Sequence, residues 1–550
     1  MRICVVNSPI ISQAFQGLGH DVLDLRLDPG PQDICVQLTA HGFEPELLLD
    51  VEILRSRTIL MGLGGLTCKK VFWSVDTHLN AWWHRAYGRM FDLVLTTQDS
   101  WIPVLNTLGL GQVRHLPWYG RRRSFRPWAE RTSKLCFVGR ITPERAVRQR
   151  MVDYLCRQHG LQLVQDAGYS EMLDHYDNTW LVPNESIFSE INFRLFEAAS
   201  CGCLVLNQEV SSDIYRLFEP GREVEVYSTI VELDVLVRRN LANPDRAGRM
   251  GRAAWARVQA EHLPQHRAER ILELAESATG AVGGDTADSY AWEAVFRLNE
   301  SGMFNSDLRR AADGIATRSS SESGVAALVR CLDWDGRKEE ALGLAAKLVA
   351  EKRYCDSFEI NLTGSGLALR HGEWNLAKAF WLRHEQTKKN SQLEVPKTPF
   401  RLWLLWATEC ERHWMPVRSG VLYDTSRGIP ESAADCLMEA NTIDSGNLDV
   451  AARMNSVLTR QGSGGDGFRL HVLSHLGLHR PEDWRLGLEL ALVNLRAMRL
   501  DEGLQELQLA GDVAAGKGEM ARFLKVLASR DPQGLLAGLL ADKAPAEFNK

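Results

Sequence analysis

WLVPNESIFSEINFRLFEAASCGCLVLN, residues 180–207, runs from an apolar stretch through a polar loop and a helical pattern to a glycine stop and a second apolar stretch. It reads as a buried strand over 180–182, a helix over 189–200 ended by Gly202, and a second buried strand over 203–206. Ser189 suits the helix N-cap, and Glu190 in the first turn suits the positive end of the helix dipole. Glu190, Arg194 and Glu197 then share one face, while Ile191, Leu195, Ala198 and Ala199 form the packed one. Such a strand–loop–helix unit points free backbone N–H groups beyond the strand ends, where an anion finds a site. An ordinary crossover with a solvated Glu–Arg–Glu face is the plain alternative.

Working outward, strands are expected over 135–138, 161–164 and 223–226, with helices over 144–157, 211–217 and 230–241 and one long helix over 245–276. A basic connector, RRRSFRP at 121–127, precedes this series. Before it lies another: strands over 2–6, 22–25, 47–49, 71–75 and 93–96, with helices over 79–90 and 100–108. Alternating strands and helices predict two doubly wound parallel-sheet domains, residues 1–125 and 126–276, with a ligand cleft where their strand ends face each other. SATGAVGGDTADS, 277–289, has linker composition. From 290 to 550 the strand signal vanishes. Gly302, Gly336 and Gly372 recur 34 and 36 residues apart, and DGRKEEALGLAAKL, HGEWNLAKAFWLRH and MRLDEGLQELQLA share a cast. This looks like degenerate tetratricopeptide repeats, with an irregular helical bundle as the alternative. Connectors at 395–398 and 462–467 divide the region further.

The 550 residues are 45% hydrophobic and 24% charged, ordinary for a globular protein, and a net charge of −6 gives no basic footprint for nucleic acid. Eleven cysteines without a C-x-x-C pair, three of them (Cys4, Cys136, Cys203) inside apolar runs, fit a reducing cytoplasm. MRICVVNSP enters a strand at once, and no apolar run approaches the roughly 18 residues of a membrane span. No His/Cys cluster has zinc spacing, and MGLGGL at 61–66 lacks the spacing of a dinucleotide fingerprint.

Two doubly wound domains with a strand–loop–helix in the second resemble a GT-B glycosyltransferase. FVGRITPER (137–145), NESIFSEINFRLFEAASCGCLVL (184–206), LFEPGREVEVYSTIVELDVLV (217–237) and HLPQHRAERILEL (262–274) resemble the spore-maturation-protein-like (CgeB-like) glycosyltransferases. FWSVDTHLNAWWHRAYGRMFDLVLTTQDSW (72–101) is similar to their Asp-x-His-Leu-Asn segment and the glutamine motif after it. The resemblance covers about residues 1–275. It implies a nucleotide-sugar donor as substrate, no cofactor and no metal, with the Gly139 loop meeting the donor diphosphate.

A departing nucleoside diphosphate gathers negative charge, which without a metal must be met by Arg or Lys and helix N-terminal amides. Arg140 and Arg194 are the candidates, with Asn192 bordering the same phosphates; a surface ion pair is the alternative for each arginine. Glu197 resembles the carboxylate that takes the nucleotide ribose hydroxyls. Many retaining GT-B enzymes have two Glu with seven residues between them; here Ser189 stands at that spacing from Glu197, and Glu190 is one place off. Where a Lys often follows the Gly-Arg, this chain has Pro143-Glu144-Arg145, and Arg145 is the substitute. The retaining or inverting outcome stays open.

For the acceptor, Asp76 and His78 are candidate bases, with His84 nearby, and a helix cap is the alternative for Asp76. Trp73, Trp82, Trp83 and Tyr87 either stack on a sugar or form core. The acceptor is a protein or a cell-envelope glycan, held by the helical region. A non-catalytic scaffold with a degenerate transferase fold, and a nucleotide-sugar epimerase or hydrolase, are the alternative functions.

Overall fold

The structure, a computed structural model, describes residues 1–53, 57–186, 188, 190–209, 211–280, 284–318, 321–388, 394–420, 423–460 and 465–543. Ser189 lies outside the described residues, as do parts of the 277–289 and 462–467 connectors. The chain forms two compact units, Met1–Pro117 with Pro264–Val450 and Trp118–Leu263 with Ala451–Lys550.

In the first unit, β1 (Arg2–Val6), β2 (Asp21–Leu25), β3 (Gly30–Asp33), β4 (Leu47–Val51), β5 (Thr58–Met61), β6 (Lys69–Ser74), β7 (Leu93–Thr96) and β8 (Val113–His115) are the strands. Six of them make a parallel sheet in the order β2-β1-β4-β6-β7-β8, and β3 pairs with β5 alone. Every residue of β4 is buried, as expected of a continuous apolar strand covered on both faces. Strands β3, β5 and β8 were not expected; β3 opens on Gly-Pro and carries no strand pattern.

The second unit holds β9 (Ser133–Val138), β10 (Gln162–Val164), β11 (Thr179–Asn184), β12 (Leu204–Gln208) and β13 (Glu225–Tyr227), all parallel, in the order β10-β9-β11-β12-β13. The helix expected over 189–200 is shorter, Phe193–Ser200 with Asn192 at the N-cap, so Glu190 belongs to the loop. Gly202, at φ 74, makes the stop. The helix expected over 245–276 is two, Pro244–Glu261 and Pro264–Glu276. Pro264 has no N–H to continue the first helix, and it begins the next. The chain leaves the second unit there, and Arg267 Nε donates to the Pro117 carbonyl at 2.7 Å within the first.

Beyond Asp285 the described residues hold helices and no strand. Two hairpins, Glu322–Trp334 with Lys338–Ala350 and Phe358–Arg370 with Trp374–Gln386, turn at Gly336 and Gly372, whose φ values of 79° and 77° favour glycine. This region is not one body: helices up to Val450 pack with the first unit, later ones with the second. Trp484, Leu488 and Leu527 share a core with Leu236 and Val237. The α/β plus all-α reading holds: each unit has its own parallel sheet, and the described residues beyond Asp285 are helical. Among the described residues no helix is long and apolar enough to cross a membrane.

Candidate active site

Strand β9 lies between β10 and β11, so the chain leaves β9 to one side and β11 to the other. That reversal opens a crevice at the carboxyl ends of these two strands. Gly139 follows β9, and Asn184 ends β11 with Glu185 next.

Arg194, in the first turn of the Phe193–Ser200 helix, reaches back into this place. Its Nη1 donates to Asn184 Oδ1 at 2.9 Å, and its guanidinium lies 4.4 Å from the Phe137 ring centroid. A Cβ at Gly139 would come 3.0 Å from Arg194 Nη2, so only glycine leaves the guanidinium its position. Asn184 is held in turn by donating to Asn207 Oδ1 at 2.7 Å, an arrangement set by the register that pairs Asn184 with Asn207.

A second guanidinium stands behind the first. Arg148 Nε donates to Glu185 Oε2 at 2.8 Å, with both side chains 3% exposed. Burial, then the neighbouring Arg194, draws the Arg148 guanidinium down to about 10 despite its carboxylate partner. Glu185 matches the Arg148 charge, whereas Arg194 is bonded to a neutral amide oxygen, so Arg194 is the cation placed to meet an anion. Asn192 Nδ2 donates to the Glu185 carbonyl at 3.2 Å, while its Oδ1 is buried with no partner among the described residues. No side chain caps the helix that Asn192 begins.

Two carboxyls flank Arg194. Burial pushes Glu197 up to about 7, against the opposing pull of Arg194, Arg121 and a Tyr169 hydrogen bond. Glu190 is also pushed up to about 7, by burial and by Glu185, against the pull of Arg194, Arg148 and Arg145. The face expected from helical spacing is thus rebuilt by a loop and a helix together.

Gly139 meets Arg194, which is felt at Glu197, and Asn192 bonds to Glu185, the partner of Arg148. Arg140 does not join them: its Nε pairs with Asp166 Oδ1 at 2.9 Å on the exposed surface. Arg145 is exposed at the start of the Ala146–His159 helix and is felt at Glu190. Arg148, Asn184 and Glu185 were not singled out from the sequence. Asn184 and Glu185 were legible as the polar pair directly after the buried run of β11.

In the first unit, Glu52 follows β4 and organises the Asp76–His78 turn. Its Oε2 accepts from the backbone N–H of Val75 at 2.9 Å and of Asp76 at 3.2 Å, and its Oε1 accepts from Asn80 Nδ2 at 2.8 Å. His84 Nε2 stands 3.2 Å from Glu52 Oε1. Burial alone would raise this carboxyl; His84, Arg57 and the Asp76 N–H outweigh it and hold it at about 2. Asp76 occupies the N-cap of the Thr77–Tyr87 helix, yet its side chain makes no cap bond.

His78 is 2% exposed, and burial lowers it to about 4, so the ring is neutral at pH 7. Gln98 Nε2 donates to His78 Nδ1 at 2.8 Å, which puts the ring proton on Nε2. That Nε2 is buried with no partner among the described residues. Trp73, Trp83 and Tyr87 are core residues, each at most 1% exposed, while Trp82 lines a pocket.

Residues 121–273 match a family described as "Glycosyl transferase-like". Those residues form a glycosyltransferase-like domain. Sucrose-phosphate synthase from Thermosynechococcus elongatus is similar in structure at 11% identity and TM-score 0.36, over 50% of this chain and 98% of that one. A glycosyltransferase from Rickettsia africae is similar at 10% identity and TM-score 0.37, over 50% and 97%. Anabaena HepE in complex with UDP is similar at 12% identity and TM-score 0.35, over 50% and 100%. No curated protein matches the chain.

Proposed function

We propose that this glycosyltransferase moves a sugar from a nucleotide-diphosphate sugar to a hydroxyl of a protein or a cell-envelope glycan, without a resident metal. The observation that carries the reading is Arg194, seated between Gly139 and Asn184 with Arg148 behind it at the reversal point of the second sheet. As the bond from the sugar to the diphosphate breaks, the departing oxygen gains charge, and Arg194 with the uncapped amides after Asn192 meets it. Glu197 accepts the ribose hydroxyls. Gly139 borders the diphosphate and Arg145 adds positive charge beside it, while Arg140 stays in its surface pair with Asp166.

On the acceptor side, Asp76 takes the proton as the acceptor oxygen bonds to the sugar. Because the His78 proton sits on Nε2, His78 donates a hydrogen bond and is not the base. The helical hairpins, read as tetratricopeptide-like, present the acceptor. Incubation of the purified chain with a panel of nucleotide-sugars and candidate acceptors, with and without EDTA, tests this. Sugar transfer that survives EDTA supports the reading; transfer abolished by EDTA and restored by a divalent metal contradicts the metal-free part.

A further inference from the structure

We infer that the first unit contains a glycan-binding pocket, half of it built by the helical region, which takes a neutral pyranose ring. His78, Trp82 and Trp101 form one side, and residues 415–418 and 431–435 form the other, around a cleft open to solvent. The inference rests on the transferase reading only in calling this ring part of the acceptor.

Three features specify the ligand. Its walls are largely apolar and aromatic, and the Arg418 guanidinium lies 5.0 Å from the Trp82 ring centroid, fixing that indole. Flat aromatic walls suit the C–H faces of a sugar ring. Two buried donors, His78 Nε2 and Arg85 Nε, have no partner among the described residues, and His78 and Arg85 both line the space. Buried donors of this kind are costly unless a ligand supplies oxygens.

The third feature is charge. Arg85 pairs with Glu359, Arg418 and Arg297 pair with Glu431, and Arg330 pairs with Glu300 at 2.5 Å. With Glu293, which Arg85, Arg297 and Arg89 oppose, and Asp435, which Arg418 opposes, five arginines face five carboxyls. Such a balanced network leaves no surplus to draw a phosphate or a carboxylate, so hydroxyl oxygens are the matching acceptors.

The test uses the full chain and a panel of methyl glycosides, read by saturation-transfer NMR and tryptophan fluorescence, with UDP, GDP and ADP titrated separately. At least one glycoside should bind saturably. Filling the space with Val417→Trp should weaken it at least tenfold, and His78→Ala should weaken it about tenfold; thermal unfolding serves as the fold check for both. Glycosides that fail to bind while a nucleoside diphosphate still stabilises the chain would overturn the pocket and leave the donor reading standing. Glycoside binding with no response to any nucleotide would instead count against the donor reading alone. Binding unchanged in both variants, or serine- and threonine-containing peptides occupying the pocket in place of glycosides, would also overturn the inference.

Discussion

Arg194 Nη1 stands 2.9 Å from Asn184 Oδ1, so the last residue of a buried strand fixes a guanidinium carried by the next helix. Together they place a half-buried positive charge at the sheet's reversal point, where the diphosphate site is proposed, with the Arg148–Glu185 pair behind it.

Gly139 is the residue that admits this guanidinium. In Gly139→Ala the new methyl would meet the far end of Arg194 and the edge of Phe137, and the backbone at φ 155° would be strained, so thermal unfolding is the fold check. Nucleoside diphosphate affinity should fall about tenfold, or about 1.4 kcal/mol, as Arg194 is displaced. Calorimetric titration checks it, and unchanged affinity would mean that Arg194 makes no contact with the diphosphate.

The Arg148–Glu185 pair is buried, so breaking it leaves an unmatched charge. Arg148→Met alone should destabilise the chain by about 3–5 kcal/mol. Adding Glu185→Leu should recover much of that loss in urea unfolding while nucleotide binding stays impaired. Equal stability of the single and double variants would show that the pair is not coupled.

Glu197 gives a pH dependence whose sign is fixed. Its carboxyl ordinarily titrates near 4.5 and is raised to about 7 in the fold, so between those values the folded chain holds a proton that the unfolded chain has released. Stability therefore falls as pH rises from about 4.5 to about 7, by up to about 3 kcal/mol for this group. Glu190 adds a contribution of the same sign. Glu197→Gln should flatten part of the slope and unfold at higher denaturant at pH 8. A slope unaltered by the substitution would place the titration elsewhere.

Much of this was legible in the sequence, for identifiable reasons. Strands β1, β4, β9, β11 and β12 are short apolar runs with sharp ends, and Gly202 marks its stop by composition alone. Register was not legible. Arg148 meets Glu185 and Arg194 meets Asn184 because strands and helices apart in the chain align at the carboxyl ends of the strands, and spacing cannot report that. Glu190 was placed on the helix because its spacing fits, yet the helix begins only at Phe193. Glu52 was missed for a related reason: a carboxylate after LLLDV looks like a strand end, and its four partners lie more than twenty residues away. Pro264 lies within an amphipathic pattern that continues on both sides of it, so periodicity alone joins the two helices.

On the acceptor side, Asp76 and His78 should separate kinetically. Asp76→Asn should lower kcat by about 10²–10⁴-fold with nucleotide affinity unchanged, the signature of a lost general base. His78→Ala should act mainly on acceptor KM. If His78→Ala instead abolishes kcat and Asp76→Asn does not, the ring proton sits on Nδ1 and the two roles are exchanged.

Calorimetric titration of the intact chain with UDP, GDP and ADP, beside Arg194→Ala and Glu197→Ala, bears most directly on the donor site. At least one diphosphate should bind the wild-type chain. Arg194→Ala should lose about 2 kcal/mol of that affinity, as expected when a charge-assisted hydrogen bond to phosphate is removed. Glu197→Ala should retain inorganic pyrophosphate binding while losing the preference for a nucleotide. Wild-type binding that neither substitution alters would contradict the site.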